Sequence, residues 1–191
     1  VDKWEGWMAL REIYCNALDE NDASVEIVDE IVPEYQKTCF FIEINDKIQN
    51  VIDNWDNYFS QKRKDILLEG SGFKLLRGGD KLIVYRKGIR CFTYDAPSMF
   101  HYDLDDIKIN ESRIVEDTWE LDRKLVSILA GKLTSELIQE FVSNVSEYKT
   151  YESKLHWDWY GSYYYSDTWK EVFKGKKVTE QKFFKEEKDN I

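Results

Sequence analysis

The sequence predicts an α+β protein in which helices pack on an antiparallel or mixed sheet. Two observations predict it. Apolar residues recur at helical spacing in the first sixty residues and again from Trp119 onward. Between these stretches lie short β-branched and aromatic runs punctuated by glycines. With 191 residues, 42% hydrophobic and 15% aromatic, the chain can bury a substantial core, in one domain or two small ones.

The elements follow in order. Trp4–Asp19 reads as an amphipathic helix with Trp7, Leu10, Ile13, Tyr14, Ala17 and Leu18 on one face. At about 100° per residue, Glu12, Asn16 and Asp19 form a narrow polar stripe opposite. Asp19–Glu34 carries seven acids and no base and reads as solvated surface. After Pro33, the run Thr38–Ile44 predicts a buried strand, and apolar Ile48, Val51, Ile52, Trp55 and Phe59 predict a second helix. Gly78-Gly79, between Phe73–Leu76 and Lys81–Arg86, predicts a two-residue hairpin with a type I′ turn. Leu82–Arg86 and Ile89–Tyr94 read as strands of an antiparallel meander. Asp106–Arg113 then leads into a long helix that uses Trp119, Val126, Leu129 and Leu133. Gly131 marks a break, and Thr134 or Ser135 caps a further helix to about Tyr148, with Leu137, Ile138, Phe141, Val142 and Val145 inward. The aromatic-dense stretch Leu155–Phe173 reads as a satellite core or a self-association patch. A frayed charged tail follows Lys174. The expected organisation is 1–68, 69–150 and 151–191.

A net charge of −10 and a pI near 4.8 argue against broad phosphate-backbone binding, which needs a basic face. Direct nucleic-acid contact is therefore not expected. The same balance permits cation binding, or an acidic surface offered to a basic partner. Cys15, Cys39 and Cys91 are odd in number and widely spaced, so a reducing cytoplasm is the natural setting and each reads as a small buried residue. No stretch is long and apolar enough for a membrane span, and no signal peptide is evident. His101 and His156 lack partners at metal-ligand spacing and read as structural or surface residues. The chain opens on Val rather than Met, which fits a processed product or a piece of a longer protein.

The polar stripe carries the first chemical expectation. A carboxylate, a carboxamide and a second carboxylate side by side suit a hard, hydrated cation such as magnesium. Arg11-Glu12, Asn16-Ala17 and Asp19 in this spacing resemble the N-box of the GHKL ATPases, the group of gyrase, the histidine kinases and MutL. The resemblance implies a Bergerat-type fold with ATP and magnesium as cofactors. Glu12 would activate the hydrolytic water, Asn16 would bind the metal, and Asp19 would sit at the pocket's edge. Gly70 and Gly72 of Gly70-Ser71-Gly72 correspond to the family's phosphate-cradling glycine box. Asp46, or Asp29, corresponds to the aspartate that reads the adenine amino group, without that box's glycines. This departure implies a degenerate site, a permuted fold, or boxes upstream of Val1. In the last two cases the Lys37–Glu43 strand matches the one that closes the family's ATPase domain.

A second resemblance covers Lys81–Glu136. Tyr85-Arg86-Lys87-Gly88, Ser98–Tyr102 and the Ser112-Arg113 pair are similar to the transducer-like region of phage GHKL proteins, including rapid-lysis proteins of the rIIA type. It implies that Lys87 or Arg113 reaches a nucleotide phosphate. The function expected from sequence is thus a phage-type ATP- and magnesium-binding protein or fragment, with hydrolysis left open. The alternative is a non-enzymatic acidic interaction protein or a virion component, motivated by the acids of Asp19–Glu34 and Asp103–Asp122.

Overall fold

The structure, a computed structural model, describes residues 5–19, 40, 42–145, 149–155, 157 and 165–174. The chain divides into two compact units, 1–58 and 59–191.

In the first unit, α1 (Gly6–Asp19) and α2 (Asp46–Asp53) lie against each other. Gly6 permits the approach, since a Cβ there would sit 3.0 Å from the Lys47 carbonyl oxygen. Trp7, Leu10 and Tyr14 are buried as the periodicity predicts, with Ile48, Val51 and Trp55 opposite. Trp7 stacks on Tyr58 at 5.5 Å, and Tyr14 meets Trp55 at 5.9 Å. The Asn45 carboxamide caps α2 by accepting from the Lys47 and Ile48 amides, both at 3.1 Å. The predicted helix Ile48–Phe59 is shorter than expected. It stops at Asp53, tightens to a 3₁₀ turn over Trp55–Asn57, and Phe59 joins a β-bridge. The predicted strand Thr38–Ile44 is not found among its described residues: Phe40, Ile42 and Ile44 lie in no strand and are exposed. An alternating apolar run forms a strand only where a sheet edge meets it.

The second unit is built on a five-stranded sheet: β1 (Ile66–Gly70), β2 (Phe73–Gly79), β3 (Leu82–Arg86), β4 (Ile89–Tyr94) and β5 (Ser98–Leu104). The spatial order is β1-β2-β5-β3-β4, with β3 and β5 parallel and all other pairs antiparallel. This corrects two expectations. The strands are not a meander, because the last strand inserts between the second and third. Gly78-Gly79 is not a type I′ turn either: both residues belong to β2, and positive φ among the described glycines occurs only at Gly72 and Gly88. Two glycines without the flanking pairing signal a hairpin only if the next strand is the neighbour, and here it is not.

The sheet has two unlike ends. At the turn end lie Ser71-Gly72 and Lys87-Gly88, the latter with φ of 49° and 85°, as a type I′ turn requires. At the other end the link from β2 to β3 must step past β5, and the link from β4 to β5 must step past β3, so the two links cross. Sheets ordinarily avoid such crossings.

One face of the sheet, with Leu75, Leu82, Val84, Phe100, Tyr102 and Leu104, shares the main core with α3 (Thr118–Lys132) and α4 (Ser135–Val145). Asp117 caps α3 by accepting from the Trp119 and Glu120 amides, and the Thr134 hydroxyl oxygen accepts from the Leu137 amide at 3.4 Å. Trp119, expected inward, is 50% exposed in the first turn of α3 and lies under the Arg123 guanidinium. Of the aromatic stretch, Trp157, Tyr165, Trp169 and Phe173 are described, with Trp169 on α5 (Asp167–Val172). They pack on the main core through Phe141, and the Trp169 indole donates to the Leu129 carbonyl at 3.0 Å.

The opposite face carries Leu76, Ile83 and Tyr85 together with His101 and Asp103. A strap, residues 59–65, crosses it. The strap starts at the Phe59–Ile89 bridge and ends where the Arg77 amide donates to the Asp65 carbonyl at 3.0 Å.

Candidate functional site

Glu12, Asn16 and Asp19 all lie on α1. Asn16 is exposed and Glu12 half-buried, while Asp19 ends the helix. Glu12 is already engaged, since the Arg11 guanidinium holds its carboxylate through Nη2 at 2.9 Å and Nε at 3.1 Å. Arg11 is itself buried, with its guanidinium over the Trp7 ring. Asp46 is the first residue of α2 and exposed, where a carboxylate suits the helix N-terminus. Asp29 lies outside the described residues, as do Cys39 and His156. Among the described residues no group of three or more His, Cys, Asp or Glu side chains is arranged to hold a metal ion.

The candidates of the second unit gather at the turn end. Gly70 and Gly72 frame the β1–β2 turn, and Lys87 occupies the β3–β4 turn. The Leu104–Asp105 peptide ties them together: the Lys87 amide donates to Leu104 O at 3.1 Å, and the Asp105 amide donates to Gly72 O at 3.0 Å. The Gly88 amide is engaged by the Asp103 carboxylate at 2.8 Å. A phosphate reaching this end would therefore meet side chains, because these three amides already have acceptors. Arg113 lies in the loop that the Ile109–Val115 bridge closes, with φ of 59°.

Sequence reasoning did not single out Arg86. It ends β3 beside Lys87, is half-buried, and its Nε is buried without an acceptor. Arg86 takes part in none of the ion pairs found among the described residues. Guanidinium groups removed from water ordinarily find a carboxylate or carbonyl partner. In a chain with a net charge of −10 an unpaired one stands out.

Two other polar centres went unnoticed. The first lies under the strap. The Arg63 guanidinium reaches Asp65 through Nε at 2.9 Å, the Arg77 carbonyl at 2.6 Å and the Tyr85 hydroxyl at 3.3 Å, and it also donates to His101 Nδ1. His101 Nε2 donates in turn to the Lys81 carbonyl at 3.0 Å. That arrangement needs a neutral ring, and burial together with the Arg63 charge lowers the His101 pKa to about 4. The structural reading of His101 fits this. Asp103 completes the strap's anchorage by accepting from Ser60 Oγ at 2.5 Å, and burial raises its pKa in spite of that bond.

The second centre is Glu152, fully buried at the crossing end. Its carboxylate accepts from Ser98 Oγ at 2.7 Å, the Met99 amide at 3.1 Å, the Phe100 amide at 3.2 Å and Tyr102 Oη at 3.2 Å. β3 pairs with β5 only from Val84–Tyr102 onward, and Glu152 satisfies the donors nearer the crossing. It is a structural plug. Cys15 and Cys91 are buried thiols, and burial pushes the Cys91 thiol up to about 12, which makes it a poor nucleophile.

The fold and these centres define an α+β protein with a mixed five-stranded sheet. Comparison with known proteins finds no matching family model, no matching curated protein and no matching solved structure. No helix among the described residues is long and apolar enough to cross a membrane.

Proposed function

We propose that this chain binds a nucleotide together with magnesium, in the manner of phage-type GHKL proteins or as a portion of one. The observation that carries the reading is the cation pair Arg86–Lys87 beside the glycine turns. A half-buried guanidinium with no acceptor on its Nε is set next to an exposed lysine in a strongly acidic chain. Charge-assisted, forked contacts of this kind suit phosphate oxygens. Within the first unit, taken by itself, the exposed Asn16 carboxamide on α1 is the oxygen ligand for magnesium that the N-box resemblance implies. Glu12 would have to leave Arg11 before it could polarise a water, so the proposal is one of binding.

The acidic-partner reading rests on the exposed Asp105, Glu111 and Glu116, since several other acids of that stretch are engaged. Of the acids between Asp103 and Asp122, Asp106 pairs with Lys124, Glu120 with Lys108, Asp117 caps α3, and Asp122 accepts from Tyr151 Oη. Asp103 is sealed under the strap.

Thermal unfolding with and without Mg²⁺-ATP tests the reading. The parent should melt several degrees higher with the nucleotide, because a ligand of the folded state stabilises it by mass action. Asn16→Ala should lose the magnesium-dependent part. Lys87→Gln should weaken binding about tenfold, the scale of one charge-assisted hydrogen bond. No shift at millimolar nucleotide with the fold intact, or a shift indifferent to Asn16→Ala, would end the proposal.

A further inference from the structure

We infer that Asp103 is a latch that makes the Lys87–Gly88 turn and the strap open and close as one unit. The geometry is a closed ring of three hydrogen bonds. Ser60 Oγ donates to Asp103 Oδ2 at 2.5 Å, the Gly88 amide donates to Asp103 Oδ1 at 2.8 Å, and the Ser60 amide donates to the Gly88 carbonyl at 2.9 Å. Ser60 and Asp103 are each 7% exposed and Gly88 is buried, so water has little access to replace a lost partner. Packing joins the same two segments. The Gln61 side chain of the strap lies over the turn, 2.4 Å from where a Cβ at Gly88 would be.

The position of the ring gives it consequence. Tyr58 is the last residue of the first unit, and the strap begins at the next residue, so the covalent path between the units enters the sheet at Ser60 and its ring. A ligand that fixes the turn must also bias the strap, because the two share their hydrogen bonds. Which ligand does so rests on the reading above: a phosphate drawn to Arg86 and Lys87 would hold the turn closed and protect the strap. Asp103 is thus a positioning residue, acting through Gly88 and Ser60.

Amide hydrogen exchange on the intact chain tests the latch, with the Tyr102 amide in the sheet as internal reference. In Ser60→Ala, protection at Gly88 should fall about tenfold relative to Tyr102. Asp103→Asn should keep it, since the carboxamide can still accept from Gly88 while its NH₂ donates to Ser60 Oγ. An unchanged Gly88-to-Tyr102 ratio in Ser60→Ala, including a uniform loss everywhere, overturns the inference. A second arm adds Mg²⁺-ATP to the parent. Protection rising together at Gly88 and at Ser60–Arg63 supports the latch. Binding seen by calorimetry with the strap unaffected overturns the latch and spares the nucleotide reading. An absence of binding defeats that reading and leaves the Ser60→Ala ratio to decide the latch.

Discussion

The two ends of the one sheet are held by different means. At the turn end, neighbouring strands are joined by tight turns, and short-range backbone geometry does most of the work: positive φ at Gly72, Lys87 and Gly88 reverses the chain. At the crossing end the links join strands that are not neighbours. There the hold comes from far along the chain, through Glu152 in β5's hydrogen-bond positions and Lys81 through His101. The chain reversals at the turn end are set locally, with the Asp103 ring adding a long-range tie at Gly88, whereas the crossing end depends on its long-range plug throughout.

The largest expected break is Glu152→Ala, which strands the Met99 and Phe100 amides and the Tyr102 hydroxyl, while Ser98 Oγ keeps the Phe100 carbonyl. Denaturant unfolding should show a loss of about 3–5 kcal/mol, because each unsatisfied buried group costs about 1–3 kcal/mol. A loss under about 1 kcal/mol would mean the crossing end is held by packing alone. The next effect is on pH dependence. His101 titrates near 4 when folded and near 6.5 otherwise, so the unfolded chain takes up the proton first. Its stabilising neutral form is fully in place above about pH 6.5. Stability should fall as pH drops from there toward 4, by about 3 kcal/mol in all at 1.36 kcal/mol per pH unit. Asp103, whose pKa is raised, works the other way: the folded state binds its proton first, and stability rises as pH falls through that value. Urea melts across this range should show the steeper loss in the parent and a shallower one in His101→Gln. Equal slopes would remove His101 from the account.

The smallest effects separate two adjacent glycines. A Cβ at Gly78 would lie 2.0 Å from the Ser98 carbonyl oxygen, while at Gly79 nothing lies within 4 Å. Gly78→Ala should cost about 2–3 kcal/mol through forced strand displacement. Gly79→Ala should stay within about 0.5 kcal/mol, as it has neither positive φ nor a neighbour to meet. Were the pair a type I′ turn, both substitutions would be costly.

This pair also shows where sequence reasoning reached its limit. The bounds of β3 and β4, the break after Gly131 and the buried face of α1 were legible, since each rests on periodicity or turn chemistry within a dozen residues. The Gly78-Gly79 pair was misread because its reason is steric and distant: β5 passes over it, and nothing near residue 78 in the sequence announces Ser98. In the apolar run Thr38–Ile44 the described residues Phe40, Ile42 and Ile44 differ in the opposite sense, showing the pattern but lying in no strand. Of the candidate site, the grouping of Gly70, Gly72 and Lys87 at one end follows from strand order, which periodicity does not supply. Arg86, Arg63, Ser60 and Glu152 have no local signature. Asp103 offered a faint one, an acid between Tyr102 and Leu104 in a strand whose neighbours alternate inward.

The insertion of β5 has a consequence for synthesis. The chain emerges from the ribosome N-terminus first, and both hairpins, β1–β2 and β3–β4, are complete before the central strand exists. Until Ser98–Leu104 emerges, β2 and β3 each offer an open edge to any other strand at hand. The nascent protein is therefore most vulnerable to mispairing in the interval between making its fourth strand and its fifth, and a ribosome that pauses there would lengthen that interval.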